Sequence, residues 1–200
     1  MKTIITIQHP ESEHHVNGMI GSQTDWGLTE NGKQHAKRIA TSISQALEGA
    51  TVSLYASDQR RVVEGAELLA SKLNVTPIYD ARLREQHLGV AIGKSVAWLK
   101  SQPLETVVKA DTRLVLGAES LRDVYRRLKP LYETFKQDDA SHIIVYGHGA
   151  SLSVLHLIHL QLDEDALNTI RIHGKAGAIA WMRILDDGRH TLDQFSTHLS

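Results

Sequence analysis

The chain has 200 residues, of which 42% are apolar, a formal net charge of −1 and no cysteine. That length suits one domain with a sizeable core. The near-neutral charge argues against a general nucleic-acid binder, no apolar window approaches a membrane span, and the missing cysteines exclude disulfides, thiolate metal sites and cysteine nucleophiles.

Taken in order, Ile4-Ile5-Thr6-Ile7 is a β-branched run that reads as a buried strand and stops at Gln8-His9-Pro10. The same interruption breaks any signal-peptide pattern, so a cytoplasmic location is expected. From Thr29, a suitable N-cap, the apolar positions Ala36, Ile39, Ala40, Ile43 and Leu47 follow helical spacing, with Gly49 as a stop. Val52–Ala56 reads as a second strand, and Ser57-Asp58 as the cap of a helix bearing Val62, Ala66, Leu69 and Leu73. Val75–Tyr79 reads as a short strand whose Pro77 suits an edge. Residues 80–118 are the least regular part and suit a short cap over a site, with a small helix around Ala97–Leu99. A helix with a strong apolar face follows Glu119, and Pro130 predicts a kink in it. Ile143–Tyr146 is again a strand, ending at Gly147-His148-Gly149, and a helix with Leu152, Leu155 and Ile158 comes after it. Asn168–His173, Ala178–Ile184 and Thr191–Phe195 read as strands joined by turns at Gly174 and Asp187-Gly188.

Alternating strands and helices predict an α/β fold: three layers, a mainly parallel central sheet with helices on both faces, and room for antiparallel strands at its end. The reading is one domain over 1–200, with about 80–118 as the cap segment. Two strands then each deliver a histidine, His9 and His148, where ligands bind in open α/β sheets. The plain alternative for His9 is a satisfied histidine at a strand end; for His148 it is a helix cap.

Gln8-His9-Pro10-Glu11-Ser12 resembles the Arg-His-Gly-Glu-Ser opening of the histidine phosphatase superfamily, which includes cofactor-dependent phosphoglycerate mutase. The likeness continues at Gly21-Ser22, Asp25 and Leu28–Gly32, at Ser57–Arg61, at Leu83–Gly89 with Gly93, at Glu119–Leu121 and at Gly147–Gly149. Each block is weak alone; together, in the family's order, they span nearly the whole chain. The resemblance implies that His9 is a nucleophile forming a phosphohistidine, that Arg61 and His148 hold the phosphoryl oxygens, with Gly149 beside them, and that Glu85 is the proton donor. Arg61 otherwise reads as a surface arginine and Glu85 as a loop carboxylate. Gly21, Ser22, Arg84 and His87 are expected to line the rest of the substrate site. The implied reaction is hydrolysis of a small phosphomonoester without a cofactor. Mutase-type phosphotransfer fits less well, because the mutase branch has a longer region where this chain has 80–118. The rival is a catalytically weak relative that binds a phosphorylated ligand or regulates a partner.

Two departures fall in the centre of the motif. Gln8 replaces an arginine, exchanging a charged two-pronged donor for a neutral amide. Pro10 replaces a glycine, removing an N–H and holding His9 extended. His14 and His15 add ionisable groups to the same loop. A protonated His15, at the position of a phosphate-contacting asparagine in the mutases, would restore part of the charge. The alternative is that both are ordinary loop residues. No histidine pair has a recognisable zinc spacing, so no metal is expected. His156 and His159, on one helix, read as packing or surface residues. The oligomeric state is open on sequence alone.

Overall fold

The structure is a computed structural model and describes residues 1–105 and 107–197. Its centre is a six-stranded sheet. The strands are β1 (Lys2–Gln8), β2 (Val52–Ala56), β3 (Ile78–Tyr79), β4 (His142–Gly147), β5 (Ile179–Ile184) and β6 (His190–Thr197), in the order β3-β2-β4-β1-β5-β6. The first four strands in that order are parallel, while β5 and β6 add antiparallel members beyond β1.

Period-2 alternation divides each central strand between two apolar layers. Ile4, Ile143 and Val145 face one layer, where α5 (Leu121–Gln137) and α6 (Gly149–His159) supply Leu128, Tyr132, Phe135, Leu155 and Ile158. Ile5, Ile7, Leu54, Ile144 and Tyr146 face the other, against Ile39 and Ile43 of α2 (Glu30–Ala46) and Val62 and Leu69 of α3 (Arg60–Leu73). Full burial of each such side chain stabilises the fold by roughly 1.5–3 kcal/mol. Two short helices complete the set, α1 (Glu13–Asn17) and α4 (Val96–Lys100). Among the described residues no helix is long and apolar enough to cross a membrane.

The capping chemistry follows the sequence in part. The Thr29 hydroxyl accepts from the Gly32 amide to start α2. Gly32 has no room for a side chain, since a Cβ there would meet the Glu11 carbonyl oxygen at 1.9 Å. Ser120 and Asp123 form a reciprocal capping box on α5. That helix runs through Pro130 to Gln137, so proline removes one ladder donor without ending the helix.

Four expectations need correction. The N-cap of α3 is Gln59 rather than Ser57-Asp58, and its side chain makes no capping bond. The expected strand at Val75–Tyr79 shrinks to Ile78–Tyr79, at the sheet edge, where Pro77 cannot donate to a ladder. Asn168–His173 is not a strand. There a 3-10 turn (Glu164–Asn168) leads into irregular chain, and side chains take over from a ladder: Asn168 accepts from the Ala110 amide and Arg171 donates to the Val108 carbonyl. Helix α1 lies in what reads as the His14-His15 loop, because five residues carry too little periodicity to announce a helix.

His156 and His159 are both buried, and bond to Thr6 and to Tyr132. Burial drives their pKa values down from 6.5, to about 3 and about 4. The unfolded chain takes up these protons below about pH 6.5 and the folded chain does not. Their contribution is therefore fully present above pH 6.5 and is lost as pH falls from there towards the folded values. Urea midpoints are expected to drop between pH 7 and pH 5, and His156→Gln, which keeps a partner for Thr6, should flatten that slope. An unchanged slope in the variant would contradict the assignment.

Candidate active site

In-register pairing of β1 with β4 sets Gln8 opposite Gly147, and the His9 amide then donates to the Gly147 carbonyl. Both strands end here, so His9 and His148 leave the sheet side by side, their rings in an edge-on pair with centroids 5.2 Å apart. Each ring is held by a defined partner. His9 Nδ1 lies 2.8 Å from the Pro10 carbonyl oxygen. A carbonyl only accepts, so Nδ1 carries the proton and Nε2 keeps its lone pair. Arg61 Nε–H donates to that Nε2 at 3.2 Å. His148 occupies the N-cap position of α6 without capping it; its Nε2 pairs with the Ser57 hydroxyl at 2.9 Å, and its buried Nδ1 has no partner.

Arg61 is the second residue of α3 and only 1% exposed. Its two terminal nitrogens donate to the carbonyls of Thr24 and Ser22 at 3.1 and 2.6 Å. Ser22 sits at a positive φ of 36°, and its hydroxyl accepts from the Leu88 amide and donates to the Gln86 carbonyl. The arginine is thus fixed by backbone oxygens, and among the described residues no carboxylate is paired to it. Burial lowers its pKa to about 10, which still leaves it charged at neutral pH.

Gln8, His9, His15, Gly21, Ser22, Arg61, Glu85 and Gly149 all line one cavity of about 620 Å³, together with His14. The Glu85 carboxylate accepts from the amides of Gln86, Ala150 and Ser151, so it sits on the first turn of α6. The Gln8 side chain lies across Gly149 and Gly174, where a Cβ would approach it to 3.3 and 2.9 Å. Gly21 is required to be small because the His14 ring lies on it; a Cβ there would come within 2.6 Å. The cap segment contributes Glu85, Gln86, Leu88, Val96 and Leu99 to the lining. Residues 18–20 run beside 94–96 through Ile20 N–H to the Lys94 carbonyl and Val96 N–H to the Gly18 carbonyl, which brings Val96 and Leu99 of α4 to the cavity.

Three expected site residues do not line it: His148, fully buried beside His9, and two from the substrate set. Arg84 is turned away and paired with Asp58 at 2.5 Å, lining a separate shallow depression. His87 closes its own loop, its Nδ1 accepting from the Gly89 amide. Sequence reading also misses Ser57, which has the look of a helix cap, and the Pro10 carbonyl. It misses Gln59 too, whose amide bridges the Ser22 carbonyl and the Glu85 amide. No local pattern signals such contacts between distant segments.

The expected charge on His15 also needs correction. Burial, and then the Arg61 charge, lower its pKa below 6.5. Its Nδ1 accepts from the Ser12 amide, so the neutral ring carries its proton on Nε2 and offers a donor rather than a charge at neutral pH. Burial and Arg61 likewise hold His9 and His148 well below 6.5, and burial with His15 takes His14 to about 3. The ring nitrogens of His9, His14 and His15 lie within 4.8 Å of one another, a spacing that can hold a metal ion. A cation there would face the Arg61 guanidinium bonded to His9, so the electrostatics favour an anion. The free cavity is thus lined by one buried positive charge, three neutral imidazoles and a nitrogen lone pair, with the neutral His148 ring packed beside His9. Such a set can bind a tetrahedral dianion and attack it in line.

Residues 4–196 match the family described as Histidine phosphatase superfamily (branch 1). The chain belongs to the histidine phosphatase superfamily. Within it, the chain is 28% identical over 178 residues to a protein of Serratia proteamaculans that carries the provisional name of phosphoglycerate mutase, covering 86% of this chain and 81% of that one. Two solved structures share the fold. A mycobacterial glucosyl-3-phosphoglycerate phosphatase in complex with VO3 superposes with a TM-score of 0.86 at 21% identity, over 98% of this chain and 100% of that one. A phosphoserine phosphatase of Entamoeba histolytica in complex with 3-phosphoglyceric acid gives 0.78 at 20% identity, over 98% of this chain and 98% of that one.

Arg61 is the one arginine that lines this cavity among the described residues. Hydrogen bonds to a charged group contribute roughly 1.5–3 kcal/mol each. Arg61→Met is therefore expected to weaken inorganic phosphate binding by on the order of 10- to 100-fold, read by calorimetry. Unchanged affinity would place the anion elsewhere.

Proposed function

We propose that the protein hydrolyses a small phosphomonoester through a phosphohistidine on His9. The observation that carries this reading is the fixed tautomer of His9, with Nδ1–H on the Pro10 carbonyl and the Nε2 lone pair at the cavity beside Arg61.

The steps follow from the contacts. In the free site Arg61 donates to His9 Nε2. Phosphoryl oxygens are better acceptors for a guanidinium, so the incoming dianion draws that donor and frees the nitrogen. His9 Nε2 attacks phosphorus as the ester P–O bond breaks, and charge on the equatorial oxygens is met by Arg61, His148, the His15 Nε2–H, the Gln8 amide and the Gly149 backbone. The leaving oxygen takes a proton from Glu85. In the second half water attacks phosphorus, the N–P bond breaks, Glu85 takes the water proton and phosphate departs.

Gln8 supports a second reading, in which the protein binds a phosphorylated ligand and turns it over slowly or not at all. Loss of one preorganised donor typically costs about 10²–10³ in rate, and here a charge is lost with it. One set of measurements separates the two. The parent should hydrolyse an aryl phosphate and yield a phosphoryl adduct on His9 after alkaline quenching, seen by mass spectrometry. His9→Ala should bind phosphate, keep its circular dichroism and lose both. Phosphate binding by the parent without adduct or turnover would leave the binding role standing. Retained hydrolysis in His9→Ala would remove His9 as nucleophile. Gln8→Arg is expected to raise kcat/KM on the same ester, and a lower value would show that the loop has closed off that position.

The pH dependence has a definite sign. His9 must be neutral to attack, and its pKa is held well below 6.5, first by burial and then by Arg61. The acid limb of kcat/KM belonging to this group should therefore fall well below pH 6.5. An acid limb at or above 6.5 that Arg61→Met leaves in place would contradict that electrostatic origin.

A further inference from the structure

The cavity is far larger than a phosphoryl group needs, and its outer wall has a consistent character. Arg61 and Glu85 are the charged side chains among the described residues that line it, histidines apart. Both lie at the phosphoryl end. Arg61 bonds to His9, and Glu85 sits on the first turn of α6. Five apolar side chains, Met19, Ile20, Leu88, Val96 and Leu99, also line the cavity. This wall is built by pairing between distant segments, the bonds from Ile20 to Lys94 and from Val96 to Gly18 holding the 18–20 stretch against the start of α4. Val96 and Leu99 are three apart on α4 and so share a face. Nearby cations do not reach this wall. Arg84 is paired with Asp58 outside the cavity, and neither Lys94 nor Lys100 lines it.

We infer that the leaving group of the substrate is an uncharged, mainly apolar alcohol or phenol, and that a carboxylate on it is selected against. This rests on the hydrolase reading and narrows it. A second anion on the substrate would lose hydration against Met19, Ile20, Val96 and Leu99 and gain no cationic partner. An apolar chain would exchange water for the same side chains with a favourable free energy. The site is thus unsuited to phosphate esters whose leaving group carries a carboxylate at its far end.

A matched pair of substrates tests this without confounding leaving-group reactivity. n-Hexyl phosphate and 6-phosphooxyhexanoate expel similar alkoxides and differ in the terminal carboxylate. The expected kcat/KM ratio is on the order of 100-fold or more in favour of the hexyl ester. Leu99→Arg, which places a cation in the wall, should shrink that ratio by raising the carboxylate's value. Equal rates, or a preference for the carboxylate in the parent, would overturn the inference, as would a Leu99→Arg ratio no smaller than the parent's. The same comparison by calorimetry uses n-hexylphosphonate and 6-phosphonohexanoate, which cannot turn over. If neither ester is hydrolysed, the hydrolase reading fails, while tighter binding of hexylphosphonate still supports an apolar ligand and tighter binding of the carboxylate still rejects it.

Discussion

The parallel register between β1 and β4 is the constraint on which the site depends. With Gln8 opposite Gly147, the next residue of each strand is a histidine, and both strands end there. Moving one strand by a single residue would turn its side chains to the other face. The register is held by the two apolar layers, because Ile4, Ile143 and Val145 must face α5 and α6 while Ile5, Ile7, Ile144 and Tyr146 face α2 and α3. The stability of the core and the geometry of the chemistry are therefore one requirement.

Around that pair the protein arranges charge with economy. Arg61 is buried on backbone carbonyls of the Ser22–Thr24 turn, and its field with burial keeps the surrounding imidazoles neutral. A site of this kind is held ready for a negative ligand, since the positive end is fixed and the donors are already oriented. The two departures from the family motif act differently. The Pro10 carbonyl accepts from His9 Nδ1, which leaves the lone pair of the ring on Nε2. Gln8 leaves an amide where the family has a cation, and His15 does not supply the missing charge in the free protein.

Much of this is legible in the sequence because it resides in local patterns. Alternation in Ile4–Ile7 and Ile143–Tyr146 marks two central strands, and helical spacing marks α2, α3 and the long helix after Ser120. The family motifs single out His9, Arg61, Glu85 and His148, and the first three of these line the cavity. What escapes reading depends on contacts between remote segments. Arg84 and His87 lie in a favourable stretch of sequence, yet Asp58 and the Gly89 amide claim them. Ser57 has the look of a cap and instead holds His148. The Asn168–His173 alternation finds no strand to pair with, so side-chain bonds to Ala110 and Val108 take its place. The apolar wall of the cavity arises from residues 18–20 meeting 94–96, a pairing that neither segment announces.

The central claim is that His9 stands neutral, protonated on Nδ1 and open on Nε2. Long-range proton–nitrogen NMR of 15N-histidine-labelled protein reads this directly, because the two ring nitrogens differ sharply when only one bears hydrogen. The His9→Gln variant assigns the signal by its loss. At pH 7 the expected result is a neutral His9 with hydrogen on Nδ1. A His9 signal of the Nε2–H tautomer, or of the imidazolium, would contradict it.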